Sequence, residues 1–71
     1  MSASLVFVNN KIEFQYVSGQ NKILIYDVKN DKALPSYSLT DQSAELDKGT
    51  FINLCLKIRK QIDKGRHSIK Q

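Results

Sequence analysis

In the stretch KIEFQYV, residues 11–17, the first six side chains alternate strictly between polar and apolar. Successive side chains of an extended chain point to opposite faces, so Ile12, Phe14 and Tyr16 share one face and polar side chains occupy the other. This alternation is typical of an antiparallel strand that buries one face and exposes the other. We therefore predict a strand at about 11–18.

Segments on either side of this stretch have the composition of further strands. The apolar run at 5–8 precedes it, and Asn9-Asn10 suits a two-residue hairpin turn because asparagine tolerates positive φ. We predict that this first strand spans about 4–9. After a polar turn, the strand predicted at about 22–29 carries apolar side chains on both faces, which indicates a strand that is central or covered on both sides.

A weaker fourth strand is predicted at about 36–40, after a loop-like segment at 30–35. Pro35 stands just before it. Because proline cannot donate a hydrogen bond to a neighbouring strand, its presence favours an edge position.

The period of the pattern changes to that of an α-helix at about residue 48. The apolar side chains that recur with helical spacing are Phe51, Leu54, Cys55, Ile58 and Ile62. We predict a helix at about 48–64, with Asp47 or Thr50 capping its N-terminus and Gly65 ending it. Residues 66–71 are expected to form a flexible tail.

Together these patterns predict an α+β fold in a single domain, residues 1–71. An antiparallel β-meander of three to four strands precedes one C-terminal amphipathic helix that packs on the sheet. A chain of 71 residues buries only about 60% of its unfolded surface and needs a well-packed core or a second copy. The apolar third strand and the wide apolar side of the helix therefore predict a homodimer.

Composition argues against several classes of site. One cysteine, Cys55, and one histidine, His67, cannot form an internal disulfide or a four-ligand zinc site. Cys55 lies in the apolar stripe and is expected to be a buried structural thiol. With no glycine-rich phosphate loop either, we expect no enzyme activity, no cofactor and no metal.

The longest apolar run, at 5–8, is too short to cross a membrane, for which about 20 residues are needed. The N-terminus also lacks the basic region and long apolar stretch of a signal peptide. We expect a soluble cytoplasmic protein.

Positive charge is concentrated at the C-terminal end of the chain. Residues 57–71 hold six of the eleven Lys and Arg residues and one acidic residue, a net charge of +5 within a chain whose total is +4. Helical geometry places Lys57, Lys60 and Lys64 together, opposite the apolar stripe. Charge gathered on one surface attracts anionic partners.

We interpret this surface as a site for DNA or RNA, in which cationic side chains contact the phosphate backbone. The residues expected to contribute are Lys57, Arg59, Lys60, Lys64 and Arg66. The alternative is a solvated helix surface without a partner. A helix lying on an anionic membrane is less favoured, because the apolar stripe is needed for the core.

Three tyrosines on the predicted strands, Tyr16, Tyr26 and Tyr37, are candidates for stacking on the bases of a single strand. Sheet aromatics serve this purpose in several single-strand binders. The alternative is that these rings fill the core of a domain that has no tryptophan.

A second function class is a protein–protein interaction module. The chain is small, shows no active-site motif and has a strand with apolar residues on both faces. A small inhibitor, regulator or assembly subunit, of the kind that phages and mobile elements encode, would use its sheet edge or its exposed sheet face.

The order of elements and the run from Pro35 to Asp41, leading to Lys48-Gly49, resemble the small coactivator-like single-stranded-DNA-binding domains. That resemblance implies dimerisation through the helix and DNA binding on the sheets. This chain enters its helix soon after Lys48-Gly49, where those domains have a further strand, and we transfer no functional residue from them.

Overall fold

The structure, a computed structural model, describes residues 4–39 and 46–69. Four strands precede one helix: β1 (Ser4–Asn9), β2 (Ile12–Val17), β3 (Lys22–Asp27), β4 (Lys32–Ser38) and α1 (Lys48–Ile69). The strands form one antiparallel sheet in the order β1-β2-β3-β4. The predicted α+β meander with a C-terminal helix is therefore confirmed.

The first hairpin turns one residue later than Asn9-Asn10. Asn9 is already paired with Ile12, and the turn residues are Asn10 and Lys11, with φ angles of 52° and 64°. Positive φ at both central positions is the signature of a type I′ turn, whose twist matches that of the flanking strands. In the second turn Gly19, with φ of 92°, occupies a conformation that L-residues rarely adopt.

The fourth strand begins at Lys32 rather than near residue 36, so the loop predicted at 30–35 is wrong for most of its length. Pairing with β3 holds this segment extended despite its weak strand propensity. A bulge between Ile23 and Ile25 accommodates an extra residue on β4. Pro35 lies within β4, on the edge of the sheet, as its chemistry requires.

The core lies between one face of the sheet and α1. Its buried hydrophobic side chains are Ile12, Phe14, Tyr16, Ile23, Ile25, Phe51, Cys55 and Ile58. Cross-strand register aligns them, because Phe7, Phe14 and Ile25 lie in one row across three strands. The alternation in residues 11–17 is therefore the pattern that places β2 at the centre of the core.

The helix starts where the sequence indicates and ends later. Oδ1 of Asp47 accepts a 2.7 Å bond from the backbone N–H of Thr50, so Asp47 is the N-cap. The helix continues through Gly65 to Ile69, which makes the predicted end at Gly65 wrong and places 66–69 in the helix rather than in a tail. A glycine in a helix interior costs about 1 kcal/mol, which a long helix tolerates. Residues 70–71 lie outside the described part.

Helix α1 packs over β1 and β2 on the core face. Strand β3 lies between β2 and β4, so its predicted central position is confirmed, and no described element covers the opposite face of the sheet. We call this second surface the outer face; its side chains are Val6, Val8, Glu13, Gln15, Leu24, Tyr26 and Ala33. The outer face follows from topology, since a single helix can cover only one side of a sheet.

Candidate functional site

Three lysines, Lys57, Lys60 and Lys64, are exposed on the surface of α1 that faces away from the sheet. We call them the lysine stripe. Phe51, Cys55 and Ile58 point into the core from the other side of the helix and fix this orientation. Because α-helical residues three and four apart share a face, the stripe extends over about 10 Å along the helix axis.

Arg59 does not belong to this surface. Its side chain is only 12% exposed, and its Nη1 donates a 2.8 Å bond to Oδ1 of Asp63. The Nε atom is buried and has no hydrogen-bond partner among the described residues. Arg59 therefore lies on the flank of α1, and its inclusion with the exposed lysines is corrected. Arg66 lies in the helical backbone, but its side chain is outside the described part of the structure.

The tyrosines do not form a common stacking surface. Tyr16 is 5% exposed and packs on Phe51, with ring centroids 6.5 Å apart, so its proposed stacking role is incompatible with its position in the core. Tyr26 lies on the outer face, paired with Ala33. Tyr37 is more exposed and is paired with Ile23, a core residue. Register separates these rings, since alternate strand positions face opposite sides.

The lysine stripe and Tyr26 occupy different surfaces, whereas Tyr37 lines a hollow beside α1 that none of the three lysines lines. Tyr26 lies on the side of the sheet opposite α1, so its ring and the lysines cannot line one groove. Of the residues predicted to contact nucleic acid, the structure brings together Lys57, Lys60 and Lys64 on one exposed surface. The side chain of Arg66 lies outside the described part of the structure.

The outer face carries exposed apolar side chains at its β1 edge. Val6 and Val8 are 57% and 56% exposed, and Leu24 continues this surface on β3. A shallow hollow of about 390 Å³ lies among Glu13, Gln15, Leu24, Tyr26 and Ala33. Exposed apolar surface of this kind is typical of protein contact sites.

A second hollow lies between α1 and β4, with a volume of about 610 Å³. Its apolar lining includes Ile25, Leu34, Tyr37, Ile58 and Ile62. This groove could not be predicted from the sequence, because it exists only where α1 does not cover the sheet. Nothing in the sequence around Leu34 and Tyr37 indicates that their side chains are only partly covered by the helix.

Cys55 is fully buried and is a poor nucleophile. Burial raises the pKa of its thiol to about 12, so the thiolate is scarce at neutral pH. Within residues 4–39 and 46–69, no three His, Cys, Asp or Glu side chains form a group that could hold a metal ion. No helix in the described part combines the length and apolar character needed to cross a membrane.

Comparisons with protein-family models, with curated proteins and with solved structures each gave no match.

Proposed function

We propose that the protein is a small, non-catalytic module that binds nucleic acid through the lysine stripe. The observation that carries this proposal is the exposure of Lys57, Lys60 and Lys64 on one helix face. Asp63 is the only carboxylate in α1, and it is bound by Arg59 rather than by a lysine. The positive charge of the stripe is therefore not neutralised within the helix.

Binding of this kind follows from charge and depends steeply on salt. Three phosphate contacts predict a slope of log K against log salt of about −2.7 for duplex DNA and about −2.1 for a single strand. Few contacts also predict weak binding, with Kd values in the range of about 10⁻⁴ to 10⁻⁶ M at physiological salt and little sequence preference.

Fluorescence anisotropy of labelled single-stranded and duplex oligonucleotides over a salt series tests the proposal. We expect the triple variant K57E/K60E/K64E to abolish binding. A matched control, K11E/K22E/K29E, makes the same charge change at three exposed lysines on the sheet and its turns. Equal loss in both variants would indicate a response to net charge alone, and no binding by the parent at low salt would refute the proposal.

A second candidate function, protein–protein interaction through the outer face, is favoured by the exposure of Val6, Val8 and Leu24. A regulator or assembly subunit would bury these side chains against its partner. Affinity capture from an extract, with nuclease treatment, separates the two candidates. A stoichiometric protein that survives nuclease, is lost with L24E and is retained by the triple lysine variant would favour this second function.

A further inference from the structure

The two edges of the sheet differ in how they are protected. The β4 edge carries Lys32, Pro35 and a bulge, which are three devices that oppose pairing with another strand. The β1 edge, SLVFVN, has no charge, no proline and no bulge. No described residue pairs with the outer side of β1. An apolar, unguarded edge strand is a template for the addition of a further strand.

Hairpin geometry identifies the backbone groups that are free at this edge. Asn9 and Ile12 close a two-residue turn and form a hydrogen-bonded pair, and such pairs alternate along an antiparallel ladder. Phe7 and Leu5 therefore bond to β2, while the N–H and C=O groups of Val6 and Val8 point away from the sheet. The same two residues have exposed side chains, so both their backbone and their side chains are available.

The flank of α1 above this edge has complementary properties. Gln61 and Gly65 line the groove beside β4, so the opposite flank of the helix faces beyond β1. At 100° per residue that flank consists of Ile52, Leu56, Arg59 and Asp63. Leu56 is 40% exposed there, and the charges of Arg59 and Asp63 cancel. A second helix could approach this flank without like-charge repulsion. At the lysine stripe, by contrast, two copies of the helix would repel each other.

From these observations we propose that β1 pairs with β1 of a second copy, antiparallel, about a two-fold axis beside Phe7. The result is a continuous sheet of eight strands, twice the four of one chain. Val6 of each copy lies opposite Val8 of the other, and each both donates and accepts a backbone hydrogen bond. Phe7, whose ring lies 6.3 Å from that of Phe14, meets the Phe7 ring of the second copy on the core face.

In this dimer the two lysine stripes lie on the same side of the sheet. The two-fold axis is perpendicular to the sheet, so both helices lie on the same face and run antiparallel, side by side. Both lysine stripes then point in the same direction, away from the sheet. The dimer does not depend on nucleic-acid binding, because its contacts are the β1 backbone and the neutral flank of α1.

Sedimentation equilibrium of the full chain tests the oligomeric state. We expect a species at twice the 8.1 kDa of the chain. V8P removes an outward-pointing N–H that no bond within one chain requires, and we expect loss of the dimer at concentrations where the parent is fully dimeric. V8T keeps that N–H and is expected to remain dimeric. L24K alters the outer face away from the edge and should also remain dimeric.

Amide hydrogen exchange of the parent protein gives a readout that needs no variant. In the dimer the amides of Val6 and Val8 are expected to exchange at least about tenfold more slowly than fully exposed amides. A monomeric parent, fast exchange at both valines, or a dimer that survives V8P but is lost with L24K would each overturn the proposal. In the last case the copies would meet through their outer faces.

Discussion

Nη1 of Arg59 donates a 2.8 Å hydrogen bond to Oδ1 of Asp63, one helical turn further along α1. Because of this bond, the only carboxylate of α1 pairs with Arg59 and not with a neighbouring lysine. It also holds the guanidinium against the flank of the helix, where its side chain is largely buried. A single ion pair thereby separates a neutral flank from a positive outward surface.

Removing the acidic partner should strengthen binding to polyanions. In D63N the helix loses its only negative charge, so we expect tighter binding in the anisotropy assay at low salt. Stability should change little, because the Asp63 carboxyl is exposed and the amide that replaces it keeps an oxygen that can accept the bond from Nη1 of Arg59. D31N makes the same charge change in a distant turn and should have a smaller effect. Equal effects in D63N and D31N would contradict the expectation.

The N-cap of α1 should make stability depend on acid pH. The backbone N–H of Thr50, followed by its side chain, hydrogen-bonds to Asp47 and lowers the pKa of that carboxyl below its ordinary value. A lowered folded-state pKa contributes stability that is present above the unfolded pKa, about 3.9, and is lost as pH falls through the folded value.

Urea unfolding of the parent and of D47A at pH 7 and near pH 3 measures this contribution. We expect D47A to be less stable at pH 7, with a smaller difference from the parent near pH 3. D47N keeps a capping oxygen at every pH and should not show that pH dependence. A difference between parent and D47A that is unchanged at low pH would argue against the ionised cap.

The thiol of Cys55 should resist modification in the folded protein. With a pKa raised to about 12 and no exposed surface, it should react with a disulfide reagent at pH 8 only when the protein opens. Urea should therefore accelerate the reaction greatly. Rapid modification without loss of the circular dichroism signal would contradict the burial of this side chain.

The raised pKa of the Cys55 thiol also predicts that the folded protein loses stability at alkaline pH. A raised folded-state pKa contributes stability that is complete below the unfolded pKa, about 8.5, and is lost as pH rises towards 12. Between those values the unfolding midpoint should fall more steeply for the parent than for C55A, because the variant has no thiol to ionise.

The first hairpin turn offers a stabilising substitution. Lys11 has φ of 64°, a conformation that glycine adopts without steric cost, and Asn-Gly is the preferred pair for a type I′ turn. We expect K11G to raise the free energy of unfolding by about 1 kcal/mol. K29G, at an exposed turn position where φ is not positive, should instead lower it. A gain from both substitutions would indicate an effect of charge rather than of backbone conformation.

Local pattern was sufficient for elements whose side chains all indicate the same structure. The alternation in β2 and the helical spacing from Phe51 to Ile62 each require one buried face, and the structure buries those faces against each other. Local pattern was insufficient for β4, where Lys32, Ala33 and Pro35 have weak strand propensity and cross-strand pairing with β3 determines the conformation. Local pattern was also insufficient at Gly65. Glycine usually ends a helix, but here α1 continues through it to Ile69.

The sequence was sufficient to predict the class of fold, the order of the elements, the buried face of β2 and the outward direction of the lysine stripe. These depend on periodicity, which each segment carries within itself. Only the tertiary structure shows where Tyr26, Tyr37 and Arg59 lie, which face of β3 the helix covers and which edge of the sheet is unguarded. Those properties depend on register and on the placement of one helix over β1 and β2, and both are set by contacts between residues far apart in the chain.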